Sequence, residues 1–177
     1  TGLTNILIFF LQESLNWTTK ASSGTLVVVG IIAIIVQGGL IGPLVKKFGE
    51  MRLTLIGSGF ILVACSLLIT APKENATINI YSAVSFLAIG AGLITPTLRA
   101  LISKKLDVNK QGSILSNLQG LQSLGGVLGI AMAGRVYDSF GPKSPFIAGS
   151  IILIFMIYLI AEGKNNKSIY DQKTNLF

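Results

Sequence analysis

Polar and apolar residues do not alternate along this chain; they segregate into long blocks. Residues 21–45, 53–72, 75–98, 111–134 and 144–161 contain no Asp, Glu, Lys or Arg. Each block reaches the roughly 18–25 residues that an α-helix needs to cross about 30 Å of hydrocarbon. A barrel strand would alternate over about ten positions, since one face meets lipid and the other the lumen. Continuous blocks predict helices, which satisfy their backbone groups within the segment. Five full spans follow, and LTNILIFFLQ at 3–12 adds a sixth that is too short to cross alone. Because that run begins near Thr1 rather than a Met, the expectation is a first helix cut at its start, on a chain that is the C-terminal piece of something larger. The predicted fold is all-α: a polytopic membrane protein with six transmembrane helices in residues 1–162 and a loosely ordered polar tail at 163–177.

Composition agrees with this pattern. Half of the residues, 51%, are hydrophobic and only 12% are charged, and the mean hydropathy is +0.72, values that belong to a bilayer rather than to a soluble domain. The first ten residues lack the basic start and small-residue cleavage site of a secretory signal. Cys65, the single cysteine, sits inside an apolar block, reads as a small packed hydrophobe and forms no intrachain disulfide.

A net charge of +7 would suggest nucleic acid in a soluble protein, but here the position of each charge matters more than the sum. Assigning alternate span ends to opposite sides gives ten basic residues on one side: Lys46, Lys47, Arg52, Arg99, Lys104, Lys105, Lys110, Lys164, Lys167 and Lys173. The other side holds four, Lys20, Lys73, Arg135 and Lys143. The excess predicts that the lysine-rich loops and the C-terminus are cytoplasmic, in a cell inner or plasma membrane, with the lipid bilayer as partner and no nucleic acid. Lys46 and Lys47 then serve as topological anchors that also attract anionic headgroups.

Sliding the chain against itself by 92 residues superimposes GPLVKKFG at 42–49 on GRVYDSFG at 134–141, and in the same register Gly57-Ser58 falls on Gly149-Ser150. A repeat of three helices, one copy at about 1–72 and the other at 73–162, enters the membrane in opposite senses, because three is odd. This predicts two inverted three-helix repeats, an arrangement common among alternating-access transporters.

Several stretches carry a family resemblance. Gly42-Pro43-Leu44-Val45-Lys46-Lys47-Phe48-Gly49 is similar to the cytoplasmic loop signature of the major facilitator superfamily: a Gly, three residues, an acid, a basic residue, any residue and Gly. AIGAGLITPTLRALIS at 88–103 and GSILSNLQGLQSLGGVLGIAMAG at 112–134 resemble the fourth and fifth helices of the C-terminal half, most like those of the drug and tetracycline efflux type. The resemblance covers residues 3–162 and implies spans seven to twelve of a twelve-helix secondary transporter that moves a small solute, with a six-helix N-terminal half on the same parent chain or a partner. Two departures stand out. Lys46 occupies the position of the signature's acid, and the Gly-Pro pair of antiporters is here Gly129-Ile130, so proton-coupled efflux is not supported by this copy.

The loop still makes physical sense: Gly42 allows close helix approach, Pro43 limits regular hydrogen bonding, and Gly49 permits a sharp turn at positive φ. Lys46, Lys47 and Arg52 are candidates to close a cytoplasmic gate by pairing with carboxylates elsewhere. Amides in hydrocarbon need partners, which singles out Asn5, Gln37, Asn117, Gln119 and Gln122. They read either as interhelical hydrogen-bond formers or as part of a solvated path. The resemblance implies that Asn5, Gln37, Asn117 and Gln122 lie where solute passes. Gly90, Gly92 and Pro96 predict a kink in the fourth helix of the half. Arg99 reads as an anchor at that helix's cytoplasmic end, and Arg135 and Asp138, three residues apart, as a local ion pair.

No acid lies within a span and the chain has no His, no P-loop pattern and no Cys cluster, so an enzyme, a cofactor and a metal site have little to rest on. The expected activity is solute movement by alternating access, most naturally efflux. The alternative is a membrane scaffold or accessory subunit that keeps the transporter fold without transport.

Overall fold

The computed structural model describes residues 19–70, 76–104 and 111–174. All of its regular structure is helical: α1 (Thr19–Ile34), a π-helical segment π1 (Ile35–Leu40), α2 (Ile41–Phe48), α3 (Glu50–Thr70), α4 (Ala76–Ser103), α5 (Gln111–Phe140) and α6 (Ser144–Thr174). Asn5 and the short apolar run at 3–12 lie outside the described residues.

Among the described residues, three helical stretches are long and apolar enough to cross a membrane: Ser23–Phe48, Glu50–Thr70 and Thr77–Ser103. The chain is an integral membrane protein. The sequence blocks at 111–134 and 144–161 were expected to be full spans, and the structure qualifies both. α5 is helical throughout, but its amides, serines and glycines dilute its hydropathy, and the apolar part of α6, Ser144–Ile160, is shorter. α6 also continues to Thr174, through residues expected to form a loose tail. Extending an existing helix costs far less than starting one, so a polar segment without Pro can follow its apolar stem.

Pro43 does not end the second span. α1, π1 and α2 continue one another, and the Ile41 N–H donates to the Val36 carbonyl five residues back, the spacing of a π turn. Proline lacks an N–H and crowds the carbonyl four residues earlier, here Gly39, and the wider turn immediately upstream relieves both conflicts. The helix stops instead at Gly49, whose φ of 76° and ψ of 158° fall in a region essentially confined to glycine. Its N–H bonds the Val45 carbonyl at 2.9 Å. Gly141 has φ 89°, and its N–H bonds the Tyr137 carbonyl at 2.8 Å.

The core is the α3–α4 pairing. Along α3, Leu53, Thr54, Gly57, Ser58, Ile61, Ala64, Cys65 and Leu68 are buried; their spacing of one, three and four residues puts them on one helical face. α4 answers with Ile80, Ala83, Val84, Leu87, Ala88, Leu93 and Thr97, and Phe146 of α6 completes the larger cluster. The crossing is closest at Gly57 and Gly90. A Cβ on Gly90 would lie 2.6 Å from the Gly57 carbonyl oxygen and 2.6 Å from Ile61 Cγ1, and one on Gly57 would lie 3.0 Å from the Gly90 oxygen. Gly90 and Gly92, expected to weaken α4 for bending, are therefore contact glycines: Gly92 faces Val36, whose Cγ1 would be 3.2 Å from an added Cβ. α4 remains one helix through Pro96.

Hydroxyls in this core bond to carbonyls of their own helix, the available solution where water is excluded. Ser58 bonds the Thr54 carbonyl at 2.9 Å, Ser85 that of Tyr81 at 2.7 Å and Ser150 that of Phe146 at 2.7 Å. α5 is the long helix without a buried residue, a property it shares with the short α2, and Leu121, Leu124, Val127 and Leu128 are each more than three-fifths exposed.

Substituting Gly90 by Ala should destabilise the protein by about 1–3 kcal/mol or more, because the obstruction is backbone rather than a flexible side chain. Gly59→Ala, at a position with no atom within 4 Å, should leave the melting temperature in detergent unchanged; equal melting of the two variants would show that the crossing is not tight.

Candidate functional site

α3 and α4 meet where the first begins and the second ends, and polar side chains gather at that end. Thr54 and Thr97 are both buried, with hydroxyl oxygens 3.0 Å apart. Each hydroxyl also reaches a carbonyl of its own helix, Thr54 that of Glu50 at 2.9 Å and Thr97 that of Leu93 at 2.7 Å; with one proton apiece, one hydroxyl donates across the interface while the other accepts there and donates to its own carbonyl. The carbonyl that Pro96 leaves without an N–H is that of Gly92, so the Thr97 hydroxyl does not replace the lost donor.

Beyond this pair, Lys104 forms an ion pair with Glu50. Glu50 is the first residue of α3, where the helix dipole favours an anion, and Lys104 directly follows the C-terminus of α4, where it favours a cation. Lys46 stands where the signature has an acid, and Glu50 lies outside the signature. The carboxylate sits four residues later, directly after the turn glycine, and that position is the signal that would have found it. Lys46, Lys47 and Arg52 are exposed, and none of them forms an ion pair with a described carboxylate. Lys47 Nζ instead lies 5.4 Å from the ring centroid of Phe48. Gly42 is exposed with no atom within 4 Å of an added Cβ, so no close approach is made there.

The polar residues of the expected path fall into two groups. On α4, Ala91, Thr95 and Arg99 form an exposed strip. Gly92 and Arg99, seven residues apart, share a face to within about 20° and lie about 10 Å apart along the axis. The Gln37 amide borders the Gly92 end, its Nε2 3.9 Å from where a Cβ on Gly92 would stand. At the other end Arg99 Nη2 donates to Gln119 Oε1 of α5 at 2.6 Å. A cleft of about 260 Å³ there is lined by Arg99, Leu115, Ser116 and Gln119. Gln122 is about 60° from Gln119 around α5, on the same side, whereas Asn117 is about 160° away. Gln37, Asn117 and Gln122 are all exposed, but helical geometry separates Asn117 from Gln122 by about 140°, so the two do not serve one face.

Thr95, Arg99 and Gln119 were not placed on the path from sequence. Arg99 had the position of a membrane-end anchor, and only the neighbouring helix reveals that its guanidinium turns sideways to an amide. Arg135 and Asp138 form no ion pair. With the cation N-terminal to the anion, their order on the helix is the weaker one, and both are exposed.

A second concavity, also about 260 Å³, lies between α5 and α6 and is lined by apolar or small residues, among them Gly125, Gly129, Pro145 and Gly149. Among the described residues no group of three or more His, Cys, Asp or Glu side chains gathers as a metal site would require.

A family model described as Major Facilitator Superfamily matches residues 1–130. The chain is 29% identical over 133 residues to the tetracycline resistance protein, class H, of Pasteurella multocida, an alignment covering 75% of this chain and 32% of that protein. It is 23% identical over 163 residues to multidrug resistance protein 2 of Bacillus subtilis (strain 168), covering 92% of this chain and 40% of that one. It is also 25% identical over 138 residues to the probable folate-biopterin transporter 7 of Arabidopsis thaliana, covering 74% and 31%. The chain thus spans about a third of the length of these relatives. No solved structure matches it.

A double-mutant cycle of Thr54→Val and Thr97→Val should show a favourable coupling of about 0.6 kcal/mol, the usual value for hydrogen bonds between membrane helices. Strict additivity of the two variants in detergent unfolding would show that the hydroxyls do not bond across the interface.

Proposed function

Because this chain belongs to the major facilitator superfamily, we propose that it forms the C-terminal six-helix half of a secondary active transporter, which exports a small amphipathic solute by alternating access. The observation that carries this reading is the exposed strip of α4 with Gln37 on one side and Gln119 on the other. It is a run of polar groups on helices otherwise dominated by Leu, Ile and Val, and polar groups at membrane depth are tolerated where they line a hydrated path or find partners.

Export as the direction is supported by the tetracycline and multidrug resistance proteins among the relatives. Their names differ from one another and from the folate-biopterin transporter in the solute, so a path built from amides, hydroxyls and one guanidinium fits the class better than any single compound. The second wall of the path comes from an N-terminal six-helix half. α5, which has no buried residue, offers the surface for that half, and the acids on α3 and α5, Glu50 and Asp138, sit at helix ends, with Glu50 engaged by Lys104, so the coupling proton is assigned to the other half.

Two turns support the inverted-repeat reading of residues 1–72 and 73–162. The glycines at positive φ, Gly49 and Gly141, stand 92 residues apart, the offset found from the sequence. The carbonyls that receive their N–H groups, on Val45 and Tyr137, are separated by the same interval. The basic excess at Lys46, Lys47, Arg52, Arg99 and Lys104 supports a cytoplasmic location for that end and for the C-terminus, in an inner or plasma membrane. There the Glu50–Lys104 pair holds the ends of α3 and α4 together, with Lys46, Lys47 and Arg52 left for carboxylates of the other half as a gate. Pro96 gives α4 a point at which to bend.

In everted vesicles containing the transporter, Gln122→Ala should lower solute accumulation about tenfold, an interaction of about 1.4 kcal/mol, while Asn117→Ala should leave it unchanged. Equal effects of the two substitutions would remove the assigned face of α5, and no solute movement above protein-free vesicles would favour a scaffold. In a Cys65→Ser background, Lys47→Cys should resist an impermeant thiol reagent added to intact cells; labelling from outside would reverse the topology.

A further inference from the structure

We infer that the cleft between α4 and α5 is an anion-binding subsite, built by Arg99, Gln119 and Ser116, which takes the carboxylate or phosphate of an amphipathic solute. Arg99 is exposed, and a guanidinium carries five N–H donors in a planar fork. One of them goes to Gln119 Oε1 at 2.6 Å, a neutral acceptor that fixes the plane of the fork without cancelling its charge. An arginine acting only as an end anchor would extend along the helix to the headgroups. This one is held sideways, facing a cleft of about 260 Å³ whose other walls are Leu115 and Ser116.

No described carboxylate competes for it. Glu50, the acid at this end of α3, is engaged by Lys104. On α5 the first acid is Asp138, which lies 19 residues beyond Gln119, about 28 Å along the axis. The guanidinium is therefore a positive charge without a described countercharge, open to a ligand and able to form a charge-assisted hydrogen bond, which is stronger than a neutral one. The Ser116 hydroxyl adds a donor, and Leu115 offers an apolar wall to the carbon skeleton of the ligand. That the ligand is cargo rests on the transport reading above; that it is bound does not.

The test uses the purified transporter in phosphatidylcholine nanodiscs with 6-carboxyfluorescein as the anionic probe and ethidium as the cationic one, followed by fluorescence anisotropy. Arg99→Gln should weaken carboxyfluorescein binding at least tenfold with ethidium unaffected, and Arg99→Lys should restore part of the loss. Should Arg99→Gln fail to fold, Ser116→Leu, which fills the cleft from the other helix, must produce the same selective loss. Unchanged affinity in these variants, no binding by the wild type, or equal loss of both probes would overturn the subsite. A parallel arm measures phosphatidylglycerol retained on purification. Retention that needs Arg99 and resists saturating carboxyfluorescein would assign the cleft to a lipid headgroup and overturn the solute proposal. Binding that depends on Arg99, without movement of either dye in vesicles, would overturn transport and leave the subsite standing.

Discussion

Gly57 and Gly90 bring the backbones of α3 and α4 into direct contact, and the arrangement of the other helices follows from that approach. With side chains absent on both sides the backbones approach so closely that a Cβ on Gly90 would stand 2.6 Å from the Gly57 carbonyl oxygen. In a bilayer there is little hydrophobic gain in moving an apolar helix from lipid to protein, so close packing and hydrogen bonds supply the association. The crossing brings Thr54 within 3.0 Å of Thr97 and sets the N-terminus of α3 beside the C-terminus of α4, where the Glu50–Lys104 pair forms. α1 and π1 then pack on the far side of α4 through Gly92 and Val36.

This rigid pair contrasts with the edge of the structure. α5 reaches α4 through the Arg99–Gln119 bond and through the Gln111 amide, which donates to the Ser103 carbonyl at 3.2 Å, and leaves Leu121, Leu124, Val127 and Leu128 exposed. Its contribution to the core is confined to Tyr137, which packs against the larger cluster from the helix's far end. Polar groups follow this division. Those in the α3–α4 core are hydroxyls that bond carbonyls of their own helix or, at Thr54 and Thr97, each other, whereas the amides of Gln37, Asn117, Gln119 and Gln122 lie exposed on π1 and α5.

The charges at the lysine-rich end show how a changed signature is accommodated. The loop carries Lys46 where the family signature has an acid, yet four residues on, past the turn at Gly49, Glu50 opens α3 and pairs with Lys104 at the end of α4. The anion sits at a helix N-terminus and the cation at a helix C-terminus, where each dipole favours it.

The order of amino acids settled the class of fold. Uncharged blocks of about twenty residues leave no option but membrane helices, the asymmetry of lysine placement gives the topology its expected sense, and Gly49 announced its turn, because these features depend on local composition and on backbone sterics. The chain's neighbours in space settled the rest. Gly90 and Gly92 looked like points of weakness until the facing helices filled them; Pro43 looked like a terminator until the π turn absorbed it. Arg99 looked like an anchor until α5 placed an amide beside it. In each case the residue type states what a position can do, while its role depends on which surface of which helix stands opposite, and that is a property of long-range packing, which no local window contains.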